Sequence, residues 1–193
     1  MRVGLLGGTF DPIHLGHLRA AETAREGLGL DLVAFVPSGV PPHRTGGLAS
    51  ALDRFTMACL ASAGHPHFTV WDTEVKRPGP SYTVDTLTTL RAERPSDELV
   101  LLVGSDTWPE MTGWHEPERL FALAEVAVVD RPGHPTPNVV APFSGGRGVS
   151  RVEGPALPIS ATSIREHLRR GGSARYLVPG TVAEFISRRG LYT

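Results

Sequence analysis

The chain has 193 residues, 40% of them hydrophobic and 20% charged, which is the composition of an ordinary globular domain with a sizeable core and excludes wholesale disorder. Its formal net charge is -1 and its basic residues are scattered, so the footprint of a protein for duplex nucleic acid or an anionic membrane is missing and small ligands are the expected partners. Lys76 is the only lysine, so a phosphate site in this chain must draw on arginine, histidine or backbone amides.

Arg2–Leu6 reads as a first strand, without a basic leader before it, and no apolar segment approaches about 18 residues. A cytoplasmic location is therefore expected. Behind this strand comes GGTFDPIHLGH, from Gly7 to His17: a glycine turn and then the start of a helix running from about Gly16 to Leu28. The glycines let a ligand approach the peptide groups. The outward N–H groups of the helix start, with the positive end of its dipole, suit a phosphate. In that helix His17, Ala21, Ala24 and Leu28 share one face and should meet the sheet, with Arg19, Glu22, Thr23 and Glu26 opposite.

Leu32–Val36 is a second strand, followed by the loop SGVPPHRTGGLAS and a helix from about Ala51 to Ala63, in which Cys59 reads as core and, being the only cysteine, excludes an intrachain disulfide. Phe68–Val75 is predicted as the next strand; a helix then runs from an N-cap at Ser81 to a stop at Pro95. Leu99–Val103, continuously apolar, reads as a central strand buried on both faces. It ends at Gly104 and Asp106, which places Asp106 on the same rim as His14. A helix near Pro117–Ala124, a strand at Val126–Val129, an irregular stretch, a short strand at Val149–Val152 and two terminal helices complete the pattern. Strands alternating with helices predict an α/β fold on a parallel sheet.

Gly7–His17 lacks the Lys-Ser/Thr of a Walker loop and the G-x-G-x-x-G spacing of a dinucleotide fold. It closely resembles instead the GxFDPxHxGH signature of the nucleotidylyltransferase superfamily. A Ser-x-Thr-x-x-Arg segment, Ser160-Ala161-Thr162-Ser163-Ile164-Arg165, matches the second element of that superfamily. Val40-Pro41-Pro42-His43-Arg44, Gly79-Pro80-Ser81-Tyr82-Thr83, Gly104-Ser105-Asp106 and Trp114-His115-Glu116 follow in the order seen in the bacterial nicotinate-mononucleotide adenylyltransferase family, as do RPGHP and the terminal Arg189-Gly190-Leu191-Tyr192. Arg44 stands where that family commonly has lysine.

The resemblance covers nearly the whole chain and implies one Rossmann-like, doubly wound parallel sheet over residues 1–193, with a small helical part from about 159 to 193. It implies adenylyl transfer from ATP to nicotinate mononucleotide, with Mg²⁺ accompanying ATP and no protein metal ligand named. The catalytic residues would be His14, His17 and Arg165. The ATP site would comprise Gly7, Gly8, Thr9, Phe10, His14, His17, Gly104, Asp106, Ile159, Ser160, Thr162 and Arg165. The mononucleotide would meet Thr9, Phe10, His43, Arg44, Tyr82, Thr83 and Trp114, with the Pro41–Arg44 loop as a lid.

From the residue chemistry, Trp114 can stack on a flat nicotinate ring and the amides at Tyr82 and Thr83 can donate to its carboxylate. Other readings stay open here: a nicotinamide mononucleotide or phosphopantetheine acceptor, a metal-dependent hydrolase using His14 and His17, or a nucleotide sensor without catalysis. Self-association into a homo-oligomer is open as well.

Overall fold

A computed structural model describes residues 1–42, 48–131, 133 and 139–193. His43 and Arg44, expected at the mononucleotide, lie outside the described residues. Six strands form one sheet: β1 (Arg2–Gly8), β2 (Leu32–Pro37), β3 (Phe68–Val70), β4 (Glu98–Gly104), β5 (Glu125–Val129) and β6 (Val149–Val152). Their order is β3-β2-β1-β4-β5-β6, and every pairing is parallel. The order reverses between β1 and β4. In a doubly wound sheet the crossovers leave in opposite directions at that point, opening a crevice at the C-terminal strand ends.

The helices are α1 (Leu15–Leu28), α2 (Ala51–Ser62), α3 (Thr73–Lys76), α4 (Thr83–Glu93), α5 (Pro117–Leu123), α6 (Ala161–Arg169) and α7 (Gly180–Arg189), with a 3₁₀ turn at Trp108–Gly113. On one face of the sheet Ala21, Met57, Ile164, Val182 and Ile186 pack against Val100 and Leu102. On the other, Leu87, Leu90, Leu120 and Phe121 pack against Leu99, Leu101 and Val103. The LVLLV run is therefore covered on both sides, as its unbroken apolarity predicts.

Several local expectations are corrected. The third strand stops at Val70 instead of Val75, and Thr73–Lys76 turns into a helix that buries Glu74. Cys59 is only partly buried. Thr23 is buried despite its place on the polar side of α1, because the chain after β6 crosses it; a Cβ at Gly154 would come within 2.4 Å of the Thr23 methyl. Ser81 does not cap α4. The N-cap is Tyr82, without a side-chain cap, and the Ser81 hydroxyl accepts from the Gly39 amide at 2.9 Å.

Two loops at the C-terminal edge of the sheet, the one after β1 and the one after β2, converge on one buried side chain. Arg54, 2% exposed, donates through Nη1 to Thr9 O at 2.8 Å, through Nη2 to Gly39 O at 2.9 Å and through Nε to Ala49 O at 3.1 Å. Burial lowers its guanidinium pKa from the usual value, while the Asp11 carboxylate works the other way. Arg54→Met should leave three carbonyls without this donor and destabilise the fold by about 3 kcal/mol or more in urea unfolding. A loss below about 1 kcal/mol would show that the loops hold themselves.

Candidate active site at the switch point

β1 delivers the Gly7–His17 segment to the rim, and Phe10 turns it there with φ at 51°, a left-handed conformation that a bulky residue keeps only when packing enforces it. The enforcing contacts are edge-on ring packing with His17, centroids 5.1 Å apart, and with Phe35, 5.8 Å apart. The Phe10 side chain is 2% exposed. What Phe10 can offer a ligand is therefore its backbone.

His14 is the N-cap of α1, and the two histidines cap each other. His14 Nδ1 accepts from the His17 amide at 3.3 Å and His17 Nδ1 accepts from the His14 amide at 3.2 Å. Their rings stack with centroids 3.6 Å apart. An imidazole nitrogen that accepts from an amide carries no proton, so in each neutral ring the proton sits on Nε2. Burial lowers the His14 pKa to about 3, helped by the nearby Arg131 cation. Burial likewise holds His17 well below its usual value, with His14 and Arg131 adding to the effect. Both rings are thus neutral Nε2–H donors around neutral pH.

This tautomer bears on the choice between hydrolase and transferase. A metal ion would need the Nε2 lone pair, which the capping pattern has protonated. Among the described residues no group of three or more His, Cys, Asp or Glu is arranged to hold a metal ion. The pair suits donation to an anion.

A cavity of about 590 Å³ opens beside them, lined by His14, His17, Asp106, Arg131 and residues 157–163. Ser160 caps α6 by accepting from the Ser163 amide at 3.1 Å, as the sequence pattern predicts. Ile159, Ser160 and Thr162 line the cavity, and Gly16 permits the approach, since a Cβ there would lie 3.0 Å from His14 Nδ1 and 3.5 Å from Ile159 O. Asp106 Oδ2 accepts from Arg131 Nη1 at 3.0 Å, while Asp106 Oδ1 is buried without a hydrogen-bond partner. Gly104 keeps this carboxylate folded back: a Cβ there would sit 2.3 Å from Asp106 Oδ1.

The remaining candidates flank the cavity. Gly7 and Gly8 end β1, and Thr9 follows, its carbonyl held by Arg54. Arg165 does not line the cavity; its Nη1 donates to Asp11 O at 2.7 Å and its Nη2 to Thr162 Oγ1 at 3.3 Å. The far ends of the sequence do meet, through that guanidinium. Tyr82 and Thr83 open α4 on the β2 side, where Ser81 N donates to Val40 O at 2.9 Å and Arg77 Nη2 to Tyr82 O at 3.2 Å. Tyr82 stacks on His115, centroids 4.3 Å apart, and Trp114 is partly buried against the core that holds Leu99, Leu101 and Phe121.

Arg131 is the charged cavity residue that sequence reasoning missed. Its only sequence signal was its place in RPGHP after the fifth strand, where an arginine beside a proline looks like a solvated turn. Asp11 is a second omission, inside the first motif but given no task, although it is fully buried.

The cytidylyltransferase-like family model matches residues 5–167. A Chromohalobacter salexigens protein named as a probable nicotinate-nucleotide adenylyltransferase is 47% identical over 209 residues, spanning 99% of this chain and 95% of its own. A Thermus thermophilus protein with the same name is 46% identical over 192 residues and spans 100% of both chains. Among solved structures, Plasmodium falciparum nicotinic acid mononucleotide adenylyltransferase complexed with NaAD aligns with a TM-score of 0.82, over 99% of this chain and 97% of its own. Its 17% identity makes that a likeness of fold.

The lowered histidine pKa values carry a stability consequence. An unfolded imidazole takes up a proton below about pH 6.5, the folded His14 only near pH 3, so the unfolded state binds more protons in between and stability falls as pH drops through that window. His14→Asn, which can still cap through its side-chain oxygen, should flatten the fall in unfolding free energy between pH 7 and pH 5 by up to about one proton's worth of slope. Equal slopes in both proteins would mean that His14 is protonated in the fold.

Proposed function

Because the chain belongs to the cytidylyltransferase-like family, we propose that it transfers the adenylyl group of ATP to nicotinate mononucleotide, forming deamido-NAD and pyrophosphate in NAD biosynthesis. The observation that carries the chemistry is the reciprocal histidine cap, which presents two neutral Nε2–H donors beside the cavity. An oxygen of the mononucleotide phosphate attacks the α-phosphorus in line. As that bond forms, the bond from the α-phosphorus to the bridging oxygen breaks, and its electron pair leaves with pyrophosphate. The attacking phosphate is already ionised at neutral pH, so no general base is needed, and the protein's task is positioning and charge stabilisation.

His14 and His17 donate to the α-phosphate oxygens. Ser160, Thr162 and the first amides of α6 face the β- and γ-phosphates, with Arg165 tying that helix to Asp11. Asp106, through its unpartnered Oδ1, accepts from the ribose hydroxyls of the adenosine. With ATP brought in as its magnesium complex, the ion would offset phosphate charge that a lysine would otherwise meet, and no side chain is assigned to it as a ligand.

On the β2 side, the start of α4 offers amides that no side chain caps. A carboxylate gains from such a terminus more than a neutral amide does, by about 1 kcal/mol, which favours nicotinate over nicotinamide mononucleotide. Trp114 supplies the stacking wall for the ring.

Pyrophosphate release with ATP and Mg²⁺, comparing nicotinate mononucleotide, nicotinamide mononucleotide and phosphopantetheine as acceptors, tests this function; the first should be used best, and release only with the third would overturn it. His17→Ala should lower kcat about a hundredfold, as when one preorganised donor is removed, with the protein still folded by circular dichroism. Near-normal turnover would take His17 out of the chemistry. Trp114→Ala should raise the KM for the mononucleotide roughly three- to tenfold and leave that for ATP unchanged. Equal damage to both would assign the tryptophan to packing.

A further inference from the structure

Deepening this reading, and resting on it for the kinetic half of the test, we infer that Tyr192 is a positioning residue whose hydroxyl latches the Gly7–His17 loop through the Asp11 carboxylate. Asp11 is 0% exposed. Its Oδ1 accepts from the Tyr192 hydroxyl at 2.6 Å and from the Ala49 amide at 3.1 Å. Its Oδ2 has no hydrogen-bond partner, with Arg165 Nη1 3.8 Å away. A carboxylate this deep is stable only if neighbouring cations and donors offset its lost hydration. Among the described residues Tyr192 supplies the hydroxyl that donates to it, and a short O–H···O⁻ bond belongs to the strong class.

The hydroxyl is well placed for this task. Burial and the adjacent Asp11 carboxylate raise the phenol pKa far above its ordinary value, so Tyr192 remains a protonated donor. Gly190 ends α7 in the left-handed conformation, and the Leu191 amide returns to Ile186 O at 3.1 Å, folding the following residues back toward the first motif. Tyr192 itself has φ at 66°, a conformation that a non-glycine residue keeps when its surroundings hold it at more than one point. Its ring packs against the core that holds Met57, Ile164 and Ile186, and its hydroxyl rests on Asp11.

The lever from Asp11 to the chemistry is short. Asp11, Pro12, Ile13 and His14 are consecutive and all buried, and His14 is the cap whose geometry sets both Nε2 donors. Losing the latch lets Asp11 shift toward a partner for its unsatisfied oxygens, and the histidine pair shifts with it. Both substrates would still bind through other contacts. The loss should therefore fall on kcat.

The test compares the full chain with Tyr192→Phe, which keeps the ring and removes only the hydroxyl, and with Thr193→Ala, which removes a neighbouring hydrogen bond to Gly190 O that does not reach the loop. Steady-state kinetics and amide hydrogen exchange are read on all three. Tyr192→Phe should lower kcat about ten- to a hundredfold, keep both KM values within about twofold, and speed exchange at Ala49 and residues 9–17 about tenfold while β4 amides stay protected. Thr193→Ala should match the parent in every readout. Unchanged kcat in Tyr192→Phe, an equal loss in Thr193→Ala, or exchange that rises through β4 as well would overturn the proposal. If the parent releases no pyrophosphate, the transferase reading fails by itself. Exchange then decides the latch, which is refuted by equal rates at Ala49 and the loop in parent and Tyr192→Phe.

Discussion

The reciprocal cap at the start of α1 is the interaction on which the candidate site depends. A helix start leaves amides unpaired, and here two of them are taken by imidazole Nδ1 atoms three residues apart. That one arrangement ends the glycine turn, begins the helix, stacks the rings and settles the tautomer. A serine or aspartate cap would satisfy the amides equally well but would leave no N–H donor beside the cavity. The capping duty thus falls on one nitrogen of each ring and leaves the opposite one as an N–H donor beside the cavity.

Charge follows from the same geometry. Burial and Arg131 keep both rings neutral, so they bring hydrogen bonds without adding positive charge. The fixed cations sit around them: Arg131 is paired with Asp106, Arg165 with the Asp11 carbonyl, and Arg54 with three loop carbonyls. Arginine suits these places because its planar fork meets several acceptors at once and keeps its charge when buried. Of these cations, only Arg131 lines the cavity; the other two hold its walls, and in a chain with one lysine that division matters.

Much of the fold was legible in the residues. The apolar LVLLV run and the alternation of strands and helices marked a parallel sheet, and the glycines and histidines of Gly7–His17 marked a turn from strand to helix on its rim. What misled the reading were positions whose local chemistry points one way and whose neighbours point another. Ser81 has the chemistry of an N-cap, yet its hydroxyl is claimed by Gly39 from across the β2 loop. Thr23 lies on the polar side of its helix, yet the segment after β6 covers it.

By itself the sequence determined the strand-turn-helix order at each end, the apolar faces and the residue types available to an anion, because propensity, periodicity and backbone permissiveness are local. Only the tertiary structure decided the strand order, which places the reversal between β1 and β4 under the cavity. It alone joined Asp11 to Arg165 and Tyr192, and Asp106 to Arg131, across 154, 181 and 25 residues. It also assigned the histidine protons, since a tautomer follows from which nitrogen meets an amide. Such pairings depend on distances set by packing two faces of a sheet, and no window of neighbouring residues contains them.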